Sequence, residues 1–435
     1  MSCFLILLST LLVLLTDTTA VSIGNLNIGL EERYNVARVP AIIQALRSDQ
    51  QGITCLTEVW GGPDMIDRFV NELSDIYPYH ARYEGDPASA SDGSPCDFDL
   101  LDEADDILQC FLDHRSVLAL ASCIYQAQVE QNSDCWSCIL EQGYAVYSQE
   151  KDLTEALGYC YFTKRRWTQT LGLLVLSKYP VVNSTSHLYE SFLAPRGLID
   201  ARIQTPVGEF HQNEVFQVIC THLTPNNDFL IYPPGITNYT SWDEENLGQA
   251  KELISYSNST FTNEQIIVGD FNHSPDIPDS GITGEITESH DYFSLEFAKL
   301  GGADLTTYLK KCSACSDNTV LSMETNRILD YTYYRSTAVL SIPVINTLAR
   351  LAWEYNVRVK HNYDCLTLKL SDHYGYVVFV NESMDIERSD PIINTCTNRF
   401  IWQFWLFGIF IIVFCFIGAS WRYIFACVLK KVLIK

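Results

Sequence analysis

Four short segments, far apart in the chain, each place an acidic, amide or imidazole group at the end of an apolar run. They are Thr57-Glu58 after Ile53–Leu56, Thr221-His222 after Val215–Cys220, Gly269-Asp270-Phe271-Asn272 after Ile266–Val268, and Ser371-Asp372-His373 after Leu366–Leu370. β-Branched and aromatic runs of this length are strand-like. A strand that ends in a carboxylate or imidazole presents it at the rim of a sheet, where reactive groups are usually carried. One such segment says little, because polar residues end most strands. Four of them, bearing Glu, His, Asp/Asn and Asp/His, supply the groups a metal-dependent phosphoester hydrolase needs.

The order of segments adds to their content. A first strand carries Leu26-Asn27-Ile28-Gly29, and an amphipathic helix with Val36, Val39, Ile42, Ile43 and Leu46 leads to Cys55-Leu56-Thr57-Glu58-Val59-Trp60. Leu176-Ser177-Lys178-Tyr179-Pro180, Thr221-His222-Leu223, Gly269-Asp270-Phe271-Asn272, Arg327-Ile328-Leu329-Asp330-Tyr331 and Ser371-Asp372-His373-Tyr374-Gly375 follow. In this order the motifs resemble the endonuclease/exonuclease/phosphatase superfamily over most of 22–382, apart from one insertion. Within it, Arg196-Gly197-Leu198-Ile199-Asp200-Ala201-Arg202-Ile203, the Thr221-His222-Leu223 that follows and the Ser371–Gly375 segment are most similar to neutral sphingomyelinases and related phospholipase C-type enzymes. Pancreatic-type deoxyribonucleases share the Asp-His ending and lack the Arg-Gly strand. Thr57 departs from the pattern, since many members carry Gln there; it adjoins a metal ligand and is not one.

The resemblance implies an α/β fold, a four-layer sandwich of two packed β-sheets flanked by helices. It also implies roles. Glu58 is the metal ligand, with Asn27 as a carbonyl-oxygen partner and Asp372 facing the metal region. Mg²⁺, or another divalent cation, suits such oxygen donors and usually keeps several waters. His373 is the general base, oriented by Asp330; imidazole exchanges a proton near neutral pH. Asp270 handles protons or orients water, Asn272 meets the phosphate oxygens, and His222 binds the phosphoryl oxygen in the transition state. Arg196 reads either as positive charge for the phosphate or as a strand-edge surface arginine. The remaining histidines without motif support, His80, His114, His187, His211, His290 and His361, read as surface or core residues.

The chain ends set the expected topology. Phe4–Leu15 is almost entirely apolar and Thr18-Thr19-Ala20 follows, so 1–20 reads as a signal peptide. Ile401–Ala419 has Gln403 as its only strongly polar side chain, with Trp402, Trp405 and Trp421 near its ends. A span at 399–421 follows, with a basic tail at 422–435 and a polar stalk at 383–398. Arg422, Lys430, Lys431 and Lys435 put that tail in the cytosol and the catalytic domain (21–382) in the lumen or outside, as a single-pass type I membrane protein. Sequons at Asn183, Asn238, Asn258 and Asn381 fit the same compartment, whereas the one at Asn272 is expected to stay bare.

Charge narrows the partner. The whole chain carries −24, and residues 21–396 carry 24 basic and 52 acidic groups. Such a surface repels a polyphosphate backbone at long range and is neutral towards a zwitterionic headgroup. The resemblance, which this charge mildly supports, implies a phospholipid, sphingomyelin first, as the substrate, and an ectonuclease or other phosphoesterase is the alternative.

Twelve of the 15 cysteines lie between the signal and the span. Six of them, Cys96, Cys110, Cys123, Cys135, Cys138 and Cys160, fall in a helix-prone insertion at 85–164, where disulfides make up for a small core. It reads equally as a substrate-selecting element or as a protective cap. Six cysteines allow 15 pairings and the sequence does not choose among them; a metal role for Cys135/Cys138 or Cys312/Cys315 is disfavoured outside the cytosol, and Cys55 and Cys220 read as free, buried small hydrophobes.

Overall fold

The computed structural model describes residues 21–83, 171–337, 348–380 and 393–394, with gaps at 31–34, 61–62, 193, 206–214, 228–231, 233–236, 321–324, 355 and 362–363. The expected signal peptide, the insertion at 85–164, the span at 399–421 and the basic tail lie outside the described residues, as does the stalk apart from 393–394. Among the described residues no helix is long and apolar enough to cross a membrane.

The first sheet holds β1 (Val21–Asn27), β2 (Ile53–Thr57), β3 (Tyr79–Arg82), β4 (Leu174–Ser177), β11 (Leu348–Ala352) and β14 (Gly375–Val380). The second holds β5 (Val181–Leu188), β6 (Gly197–Gln204), β7 (Val215–His222), β8 (Glu264–Asp270), β9 (Gly302–Asp304) and β10 (Asp330–Ser336). Strands run in the orders β11-β14-β1-β2-β4-β3 and β5-β6-β7-β8-β10-β9. A small third sheet joins β12 (Asn356–His361), β13 (Asp364–Lys369) and β15 (Ile393–Asn394).

Each large sheet is built on one parallel pair, β1 with β2 and β7 with β8. Parallel neighbours need a crossover. Helix α1 (Asn35–Asp49) lies between β1 and β2, and α3 (Trp242–Thr260) between β7 and β8. Helices α2 (Pro63–Leu73) and α4 (Thr287–Lys299) complete the outer layers.

Strand alternation divides the side chains between layers. In β7, Phe216, Val218 and Cys220 enter the core between the sheets, and Ile219 faces the helices. In β8, Ile266 and Val268 face the other sheet while Ile267 meets Leu253, Phe293 and Phe297. On the opposite side, Val39, Ile42, Ile43 and Leu46 of α1 pack with Phe69 against Leu26 and Leu56. The layers therefore run helix, sheet, sheet, helix, as the motif order implied.

Two sequence readings change here. The run Leu366–Leu370 does not enter a large sheet; β13 pairs with β12 in the small one, and β14 is the neighbour of β1. Cys55 and Cys220 are not free thiols. They form a disulfide between β2 and β7, with Cα atoms 5.6 Å apart and a sequence separation of 165. Both strands point these side chains into the inter-sheet core, where the two sheets bring them face to face. Cys312 and Cys315 form a disulfide, consistent with setting aside a metal role for them.

A bond closing so long a loop restricts the unfolded chain strongly. Replacing both Cys55 and Cys220 by Ala is expected to lower the unfolding free energy by about 2–5 kcal/mol, read from urea denaturation. Unchanged stability would show that the sheets do not rely on this link.

Candidate active site

Parallel central strands deliver their ends to one rim. β1 ends at Asn27 and is paired through Thr57, the residue before Glu58. β7 ends at His222, opposite Asp270 at the end of β8. The antiparallel neighbours reach the same rim with their beginnings: Asp330 opens β10 opposite Asp270, and the Ser371–His373 turn precedes β14 beside β1. All eight predicted site residues thus meet at one end of the sandwich, although they come from both sheets.

At the centre, Asn27 Nδ2 donates to Glu58 Oε1 (2.8 Å) and to Asp270 Oδ2 (2.9 Å). Its Oδ1 accepts the Gly29 N–H at 2.8 Å. An amide oxygen has two lone pairs, so that contact leaves one for a cation. Glu58, His222 and Asp270 bring one ligand atom each within 4.8 Å of one another; Asp270, Asp330 and His373 do the same. Asp372 belongs to neither group. Its Oδ1 accepts from the Ser371 hydroxyl at 2.8 Å, and it lies against Gly29, where an added Cβ would meet Oδ1 at 1.9 Å. The left-handed φ of +53° at Gly29 and this approach both require glycine.

Local strain accompanies the chemistry. Glu58 and Asn272 both adopt positive φ, 56° and 51°. Such a conformation costs a non-glycine residue roughly 1–2 kcal/mol and concentrates at functional sites. Asn272 is held there by its own N–H, which donates to Asp270 Oδ1 at 2.9 Å. Its Nδ2 donates to the Leu223 carbonyl (2.9 Å) and lies 3.1 Å from His222 Nε2.

The imidazoles differ in character. His373 Nδ1 lies 2.7 Å from Asp330 Oδ2, with both side chains buried. Burial alone would lower the His373 pKa, but the carboxylates of Asp330, Asp372 and Asp270 outweigh it and hold it well above the usual range. His222 goes the other way: burial, the Arg196 guanidinium and His373 hold it well below. Arg196 is not a surface residue. It is buried, its Nη1 lies within 2.7 Å of the His222 ring, and its guanidinium sits 6.0 Å from the Trp60 ring centroid.

Three contributors were missed in the sequence. Asn25 is fully buried and reaches across the sheets, donating to the Gly269 carbonyl at 2.9 Å and to Asp330 Oδ1 at 3.4 Å. It shares a strand face with Asn27, two residues on, and that alternation was the available signal. Buried Arg38 donates to the carbonyls of Ile28 and Leu370 (3.0 Å each) and of Gly29, tying the end of β1 to the segment before His373. Asn318 donates to the carbonyls of Ser371 and Asp372. No sequence pattern marked Arg38 or Asn318.

The donor set fits a hard divalent cation. One amide bridges the Glu58 and Asp270 carboxylates, and Asp330 approaches Asp270 from the His373 side. Burial and Asp330 push Asp270 up to about 7. Like charges so placed call for a positive partner.

The endonuclease/exonuclease/phosphatase family profile matches residues 25–373. The chain belongs to that family. It is a metal-dependent phosphoric ester hydrolase, and the residues brought to the rim are those through which the family was recognised in the sequence. A comparison with curated proteins gave no match. Solved structures with a similar course include sphingomyelinase C from Streptomyces griseocarneus, 12% identical with a TM-score of 0.49, over 83% of this chain and 100% of that one. A beta-toxin double mutant from Staphylococcus aureus, carrying bound magnesium ions, is 12% identical over 83% and 99%, with a TM-score of 0.49. An endonuclease/exonuclease/phosphatase family protein from Bacteroides thetaiotaomicron is 10% identical over 83% and 97%, with a TM-score of 0.43.

The cluster makes metal-free stability depend on pH. Asp270 is raised, so its ionisation opposes folding, and that loss develops between the ordinary carboxyl value of 3.8 and about 7. His373 is raised too, so the stability it contributes is present at low pH and is lost as pH rises through its folded value. Both act in one direction. The melting temperature in chelator is expected to fall from about pH 5 to about pH 8, and added Mg²⁺ is expected to raise it most at the higher pH. Equal Mg²⁺ stabilisation at both would contradict a cation site on these carboxylates.

Proposed function

We propose that this protein is a membrane-anchored, Mg²⁺-dependent phosphodiesterase that releases headgroups from phospholipids, with sphingomyelin as the first candidate substrate. The observation that carries the chemistry is the buried 2.7 Å pair of His373 and Asp330, set beside the Glu58–Asn27–Asp270 group. The lipid reading rests on the Arg196–Ile203 strand, on the surplus of acidic groups over 21–396, and on the expected span at 399–421 that would hold the domain near lipid.

Glu58 and Asn27 would hold the cation, with Asp270 as the nearest second carboxylate and Asp372 acting through water. When bound, the cation would polarise the phosphoryl group and neutralise its charge. The protein's own groups do the rest. With Nδ1 committed to Asp330, and with a bound cation offsetting the carboxylates that otherwise keep the ring protonated, His373 would have Nε2 free to take the proton of an attacking water, and Asp330 would stabilise the resulting imidazolium. A neutral His222, held by Asn272 and Arg196, would meet phosphate oxygens, where charge develops in the transition state. Arg196, buried against His222, adds fixed positive charge on the same side.

The test is hydrolysis by the purified full-length protein in detergent, with Mg²⁺ or with chelator, on sphingomyelin, lysophospholipid and plasmid DNA. Mg²⁺-dependent phosphocholine release is expected. His373→Ala should lower turnover by about 100-fold or more while the circular dichroism spectrum stays unchanged, and Glu58→Gln should raise the Mg²⁺ requirement. DNA nicking without lipid hydrolysis would move the protein to the nuclease alternative. Near-normal rates in both variants would sink the site.

A further inference from the structure

The catalytic pair is split between the two sheets. Asp330 opens β10 in the second, and His373 sits in the turn before β14 in the first. A 2.7 Å contact between them needs something that fixes one against the other. We propose that the segment 312–320 is a positioning clip for this pair, with Ser313 and Asn318 as its working side chains. The proposal rests on the roles given above to His373 and Asp330.

Ser313 faces the Asp330 side. Its Oγ accepts the N–H groups of Leu329 (3.0 Å) and Asp330 (3.1 Å), so one hydroxyl sets the backbone from which the carboxylate projects. The Ser313 carbonyl accepts the N–H of Tyr374, the residue after His373, at 2.8 Å. A single buried residue therefore bonds next to both members of the pair. Asn318 completes the His373 side: Nδ2 donates to the Ser371 carbonyl (2.9 Å) and the Asp372 carbonyl (2.8 Å). Neither side chain is spent on holding an element of its own. Asn318 Oδ1 accepts the nearby Val320 N–H at 2.9 Å.

The segment has the stiffness a clip needs. The Cys312–Cys315 disulfide closes a tight loop around Ser313 and Ala314. Ser313 and Ala314 both donate to the Arg327 carbonyl, and Arg327 N–H returns a bond to Ala314, which anchors the loop to the strand entering Asp330. On the other side the Tyr374 hydroxyl donates to Asp317 at 3.1 Å, and Lys369 N–H donates to Thr319 Oγ1 at 2.9 Å. Hydrogen-bonded contact with both neighbourhoods distinguishes this segment from a loop that merely covers the rim.

A positioning role predicts a loss that vanishes when the positioned group is gone. The probe is bis(4-nitrophenyl) phosphate, a phosphodiester that requires no lipid recognition, with the full-length protein in detergent. Ser313→Ala and Asn318→Asp are each expected to lower kcat by about 10- to 100-fold, with KM and the Mg²⁺ requirement little changed. Ser313→Thr, which keeps the hydroxyl, should restore most of the rate. In the His373→Ala background the same two substitutions should have almost no further effect. Equal fold-losses in both backgrounds, or no loss in the parent, would overturn the clip and assign the segment to general stability. Should Ser313→Ala fail to fold, Asn318→Asp, which keeps size and removes both donated bonds, carries the test alone. His373→Ala with parental activity would instead overturn the proposed site itself, so the two failures are distinguishable.

Discussion

Three carboxylates in a dry cleft repel one another, and much of the structure is organised around holding them there. Glu58, Asp270 and Asp330 converge from two sheets, and none is placed at an ordinary surface position. Amide groups separate and tie them: Asn27 bridges Glu58 and Asp270, and Asn25 joins Asp330 to the backbone at Gly269. His373 supplies positive charge where Asp330 and Asp270 meet. The same repulsion makes the site receptive to a divalent cation.

That arrangement requires the two sheets to keep their relative position. The inter-sheet core gives the bulk of the adhesion, but apolar packing does not fix atoms to a fraction of an ångström. Directional links do so near the rim. The Cys55–Cys220 disulfide lies two residues from His222 and three from Glu58. Asn25 on the first sheet donates across to the Gly269 carbonyl on the second at 2.9 Å. These links lie one layer below the reacting groups, where they can position without taking part.

Much of this was legible in the chain. Polar groups carried at strand ends leave a local signature, an apolar run followed by a polar residue, and the rim positions of His222, Asp270 and Glu58 were found that way. Arg196 was left between two readings because a strand start can face either solvent or the rim, and only the packing against Trp60 and His222 decides it. Cys55 and Cys220 looked like ordinary core residues because each sits in an unremarkable apolar run. Ser313 and Asn318 gave no signal, since a loop residue that bonds distant backbone has no periodicity to betray it.

The sequence by itself determined the strand ends, the first crossover helix and the identity of the polar groups gathered at the rim, because each is written in local periodicity and residue type. Tertiary structure alone decided which cysteines pair, which amide spans which carboxylates, and how a histidine from one sheet finds an aspartate from the other. Those choices depend on register and distance between segments tens to hundreds of residues apart, and no local pattern encodes either.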